Sequence, residues 1–117
     1  MLARANIFQQ IPASITEELV DVLSSGPGTR IERIVSRGQA SPEGFWYDQD
    51  EDEFVLLIAG SATLSFQGHP PLDLGTGDYV TIPAHVKHRV ERTDAAADTV
   101  WLAVFHERGA DAQGERP

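Results

Sequence analysis

The run Phe54-Val55-Leu56-Leu57-Ile58-Ala59, closed by Gly60, constrains this chain more than any other stretch. A strand with two apolar faces must be covered from both sides, so this run belongs at the centre of a packed β structure. It is far shorter than the roughly 20 apolar residues a membrane-spanning helix needs. Directly before it stand Phe45-Trp46-Tyr47 and the acidic run Asp48-Gln49-Asp50-Glu51-Asp52-Glu53. Aromatics, carboxylates and a buried strand are thus compressed into one segment.

The rest of the chain supplies partners for that strand. Arg30 to Ser36 is rich in β-branched residues. Ala62, Leu64 and Phe66 alternate with Thr63, Ser65 and Gln67, the pattern of a half-buried strand. Turn residues then punctuate the sequence at Gln67-Gly68-His69-Pro70-Pro71, Gly75-Thr76-Gly77-Asp78 and Pro83 to Lys87. Thr99 to Phe105 is a last strand, again apolar on both faces. Short strands with turns at regular intervals predict an all-β sandwich or barrel. One helix is expected before it, from about Ile15 to Ser24. Ser14-Ile15-Thr16-Glu17 has the form of a capping box, Ile15, Leu19, Val22 and Leu23 recur at helical spacing, and Gly26-Pro27-Gly28 stops the run. Residues 1–28 are therefore read as an arm and helix, 29–106 as the barrel, and 107–117 as a polar, disordered tail.

With 117 residues the chain is long enough for one domain with a real core. The formal net charge of −9 opposes binding to nucleic acid or to an anionic membrane, since both need a basic face. There is no cysteine, which excludes a disulfide framework, a thiol nucleophile and a zinc-thiolate site. A cytoplasmic location is expected. No serine sits in a nucleophile elbow and no glycine-rich phosphate loop is present. Asp48, Asp50 and Asp52 imitate the start of a calcium loop, but the glycine required next is Glu53 and the closing glutamate falls on Ala59.

Two stretches resemble the signature motifs of the cupin superfamily. In the first motif a glutamate is followed by six residues and a glycine, as Glu53 and Gly60 are here; counting back places the motif's two histidine positions on Tyr47 and Gln49. In the second, Gly77, Pro83 and His88 fit, while His85 stands where the motif has glycine and Arg92 where it has asparagine. The resemblance covers roughly Ile31 to Phe105 and implies a single-domain double-stranded β-helix, a jelly-roll barrel. It also implies a site inside the barrel at Tyr47, Gln49, Glu53 and His88. Side-chain alternation allows Tyr47, Gln49, Glu53, Val55 and Leu57 to share the interior if one irregular step lies in the acidic run.

Metal-binding cupins present three histidines and one glutamate to a divalent ion. The matching positions here leave Gln49, Glu53 and His88 as the metal set, which could hold zinc, manganese, iron or nickel only weakly. The other reading of His88 is a core histidine hydrogen-bonded to Glu53. Tyr47 is a poor ligand while its phenol is neutral. As catalytic residues the resemblance offers Glu53 as acid or base with His88 as its partner. As ligand-binding residues it offers Tyr47, Gln49 and Trp46; Trp46 and Trp101 could equally be packing.

The resulting expectation is a small cupin that binds a small polar molecule, sugar-like or an oxo-acid, with isomerase- or lyase-type chemistry. A non-catalytic ligand sensor, or a structural dimer module with a vestigial pocket, is the alternative. A homodimer is expected, because Phe54, Leu56 and Ile58 lie on the strand face opposite Val55 and Leu57 and a small barrel has only one interior.

Overall fold

The computed structural model describes residues 2–108. It contains eight strands and, among the described residues, no helix: β1 (Leu19–Gly26), β2 (Thr29–Ser36), β3 (Glu51–Ala59), β4 (Ser61–Phe66), β5 (Leu72–Gly75), β6 (Tyr79–Ile82), β7 (His88–Thr93) and β8 (Thr99–Glu107). One sheet has the order β1-β2-β8-β3-β6 and the other β5-β4-β7, with every pairing antiparallel. This is the expected all-β jelly roll. The doubly apolar strand β3 is central, between β8 and β6.

The expected helix is replaced by strand β1. Leu19 and Val22 fit a helical repeat, but the same segment also alternates as a strand, with Asp21 facing one way and Val20 and Val22 the other. An isolated helix of this length is marginal in water, whereas β2 offers a full ladder of unpaired backbone groups. β1 takes that ladder from Leu19↔Val35 to Gly26↔Thr29, with a bulge between Val22 and Ser24. Asp21 accepts from Arg33 Nε at 3.0 Å. The guanidinium of Arg33, itself buried, also donates to the carbonyls of Ile7 and Gln9. Arg37 donates to those of Ala13 and Pro12 at 2.8 and 3.1 Å. Two arginines thus hold the N-terminal arm against the outer face of β2. Of the stretch expected as a disordered tail, Glu107 closes β8 and Arg108 pairs with Asp52 at 2.7 Å; residues 109–117 lie outside the described residues.

The core lies between the sheets. Val55, Leu57, Trp101, Ala103, Phe105 and Ile82 come from the first, Ala62, Leu64 and Leu74 from the second. Each side chain of Leu57's size, here fully buried, contributes about 1.5–3 kcal/mol. Strand β3 leaves the first sheet at Gly60 (φ +96°), and β4 begins the second sheet one residue later. A Cβ at that corner would lie 2.6 Å from Thr99 Cα, so only glycine fits.

Candidate functional site in the barrel

A cavity of about 180 Å³ lies between the sheets, lined from both of them and from the segment before β3. Tyr47 and Gln49 lie in irregular chain, and β3 starts at Glu51, so the irregular step falls within the acidic run. Strand β7 fixes this segment. Tyr47 exchanges backbone hydrogen bonds with His88, at 2.7 and 3.1 Å. Arg89, the next residue on β7, donates to the carbonyls of Ser41, Pro42 and Phe45. The Tyr47 ring then stacks on the His88 ring, centroids 5.4 Å apart.

Glu53 comes from β3 and His88 from the start of β7, and both are buried. His88 Nδ1–H donates to the Val86 carbonyl at 2.9 Å, which turns Nε2 toward Glu53 Oε1 at 3.6 Å. Gln49 Nε2 donates to the same oxygen at 3.1 Å. Burial opposes charge on His88, but the Glu53 carboxylate and the Val86 carbonyl outweigh it and raise the imidazole above its ordinary value. The Tyr47 phenol is also raised, first by burial and then by the charges of Glu18 and Glu53.

The cavity therefore gathers Tyr47, Gln49, Glu53 and His88. Trp46 is not among its lining residues: neighbours in extended chain face opposite ways, and Tyr47 takes the inward side. Trp101 does line it, together with Phe105, Ile34 and Val55. Two lining carboxylates escaped the sequence reading, Glu18 and Glu32. Glu32 was signalled by its two-residue offset from Ile34 on β2. Glu18 had no usable signal, because its segment reads as helix. It is held by a relay in which Trp101 Nε1 donates to Ser36 Oγ at 3.2 Å and Ser36 Oγ donates to Glu18 Oε2 at 2.8 Å. The other carboxylates of the acidic run are engaged elsewhere, Glu51 with Arg30 at 3.4 Å. Asp48 and Asp50 flank exposed His85 at 2.7 and 3.3 Å, and Asp52 accepts from the Ala84 amide at 2.8 Å. His85 has φ +65°, which accounts for the glycine at that place in the motif.

As a metal set, Gln49, Glu53 and His88 fit poorly. Among the described residues no group of three or more His, Asp or Glu is arranged to hold an ion. Only one imidazole and one carboxylate are strong donors, and each already engages the other. The raised imidazole value favours a proton on Nε2, where a metal would need the lone pair.

Comparison with known proteins matches the fold and the motifs. The family model described as Cupin domain matches residues 33–105. A search of curated proteins finds no match. Among solved structures, a "putative mannose-6-phosphate isomerase" from Ralstonia eutropha JMP134 is 42% identical, covering 91% of this chain and 99% of its own, with a TM-score of 0.88. An RmlC-like cupin family protein from Methanocaldococcus jannaschii is 19% identical over 92% of this chain and 93% of its own, with a TM-score of 0.67. KdgF from Halomonas sp. is 16% identical over 92% and 95%, with a TM-score of 0.69; these two likenesses concern the fold alone. The match to the family over most of the barrel, with Glu53, Gly60, Gly77, Pro83 and His88 at their motif positions, makes this chain a member of the cupin domain family.

Proposed function

We propose that this cupin binds a small sugar-like or oxo-acid molecule in its barrel and moves a proton on it, an isomerase- or lyase-type step. The observation that carries the reading is the buried pair of Glu53 and His88, 3.6 Å apart and both lining the cavity. Glu53 is the base that takes a proton from the carbon beside a carbonyl. Protonated His88 is the acid that donates from Nε2 to the carbonyl oxygen. Returning the proton from Glu53 to the former carbonyl carbon, while His88 Nε2 takes the proton of the adjacent hydroxyl as it becomes the new carbonyl, completes an isomerisation. Expulsion of a β substituent with its bonding electron pair, while the enol proton returns to His88, completes an elimination. The 42% identical relative carries an isomerase name, and that name supports the first of these. A resident zinc, manganese, iron or nickel ion has no part in the scheme, because the donor set suits it poorly.

One observation favours the non-catalytic reading. Gln49 and His88 both point at Glu53 Oε1, which occupies that oxygen and suits a sensor that only binds. The two readings separate in deuterium oxide. Native protein incubated with aldoses, ketoses (mannose and its 6-phosphate among them) and oxo-acids should exchange a carbon-bound hydrogen for deuterium, seen by NMR. Glu53→Gln should slow the exchange at least a hundredfold. Saturable binding with no exchange in the native protein would overturn catalysis and leave the sensor.

The chain is further proposed to act as a homodimer. Phe54, Leu56 and Ile58 on the outer face of β3 are only half-buried, beside exposed Tyr79 on β6.

A further inference from the structure

We infer that the barrel takes an uncharged polyhydroxy ligand and rejects phosphate esters and carboxylates, with Glu18 as the residue that sets this selectivity. The inference rests on the ligand-binding reading above and narrows it to one ligand class.

Among the described residues, the charged groups lining the cavity are Glu18, Glu32, Glu53 and His88, and no lysine or arginine lines it. Two of the carboxylates are balanced. Glu53 faces His88, and Glu32 accepts from Arg30 Nε at 2.7 Å. Arg30, which pairs with the lining Glu32, is already committed. Its guanidinium bonds Glu32, contacts Glu51 at 3.4 Å and lies 4.3 Å over the Phe105 ring. Among the described residues Glu18 has no cationic partner, only the Ser36 hydroxyl. The cavity thus keeps negative charge even with His88 protonated.

Hydrogen-bond capacity points the same way. Glu53 is 7% exposed, and its Oε1 receives Gln49 and faces His88. Its Oε2 receives no hydrogen bond among the described residues, although a buried acceptor needs a donor. A hydroxyl supplies one; a phosphate dianion or a carboxylate has no proton to give. Phosphate sites use arginine forks or helix N-termini. The described residues contain no helix, and Arg30 is engaged with Glu32. The apolar remainder, including Trp101 and Phe105, suits the C–H face of a sugar ring. Burial is the main cause that raises the Tyr47 phenol, and the charges of Glu18 and Glu53 add to it.

The test is calorimetric titration of the intact protein with neutral hexoses, each against its own 6-phosphate ester, at several salt concentrations. At least one neutral hexose should bind ten or more times tighter than its ester. Glu18→Gln should shrink that ratio, and Glu18→Lys should reverse it. Each variant is checked for native unfolding temperature, with Glu32→Gln as a second probe if Glu18→Lys fails to fold. Tighter binding of an ester than of its parent sugar to the native protein overturns the inference and leaves the ligand-binding reading intact. Tighter capture of choline than of any hexose overturns the uncharged assignment. Binding of neither sugars nor esters overturns the underlying reading, and the inference falls with it.

Discussion

His88 carries two hydrogen-bonding tasks on one ring. Its Nδ1–H is spent on the Val86 carbonyl, so the proton that titrates is the one on Nε2, facing Glu53. Burial alone would lower its pKa; the carboxylate and the carbonyl reverse the sign and raise it. The folded value lies above the unfolded value of about 6.5, so protonation of His88 favours folding. That stabilisation is fully present below about pH 6.5 and is lost as pH rises through the folded value. Urea unfolding from pH 5 to 9 should therefore show stability falling on the alkaline side. Glu53→Gln should flatten that fall and move the His88 NMR titration to lower pH; an unmoved titration would show that the carboxylate does not govern the ring. Tyr47, Gln49, Glu53 and His88 were legible as a group because motif spacing fixes side-chain direction on strands. Trp46 was misplaced by the same kind of reasoning, one residue out of phase. Glu18 could not be seen, because its position depends on the relay through Ser36 and Trp101 and not on any local pattern.

At the level of elements, the sequence described the strands well and the first element badly. β4 alternates as a strand does, β3 and β8 are short apolar runs bounded by turn residues, and each appears near its expected place. The segment around Leu19 satisfied two periodicities, and the open ladder of β2 chose between them. The sheet-to-sheet corner is a sharper case, because one atom decides it. A Cβ at Gly60 would stand 2.5 Å from Thr99 Oγ1 and 2.8 Å from the Asp98 carbonyl, at φ +96°. Gly68 has a similar φ of +85° but nothing within 4 Å of its Cβ position. Gly68→Ala should thus show backbone strain alone, about 1 kcal/mol. Gly60→Ala adds a backbone clash and should cost about 3 kcal/mol or more, lowering the unfolding temperature by roughly 10 °C. Equal losses in the two variants, measured by thermal denaturation, would mean that the corner can relax and that crowding at Thr99 is unimportant.

Across the whole molecule, the two faces of the larger sheet are unequally covered. The inner face meets the second sheet and closes the core. On the outer face, the arm held by Arg33 and Arg37 lies over β2, where Val35 and neighbouring Val100 are fully buried. Toward β3 and β6 that cover ends. Phe54, Leu56, Ile58, Leu102 and Val104 are half-buried, and Tyr79 is 65% exposed with its ring 5.2 Å from that of Phe54. β6 is also a sheet edge of only four residues, Tyr79–Ile82, with one side unpaired. An apolar strip beside an open edge is the kind of surface that a second copy of the same chain covers in a two-fold pair. A stable pair buries about 800 Å² on each partner, an area such a strip and its rim could supply. Sedimentation velocity at micromolar concentration should show a dimer. Tyr79→Asp places a charge at the centre of the strip without touching the core and should give a folded monomer. Val22→Asp, on the opposite edge strand β1, should leave the dimer intact. A native protein that sediments as a monomer would refute the pairing; a dimer broken by Val22→Asp and not by Tyr79→Asp would remove the outer face of β3 and β6 from the assembly and move the contact to β1.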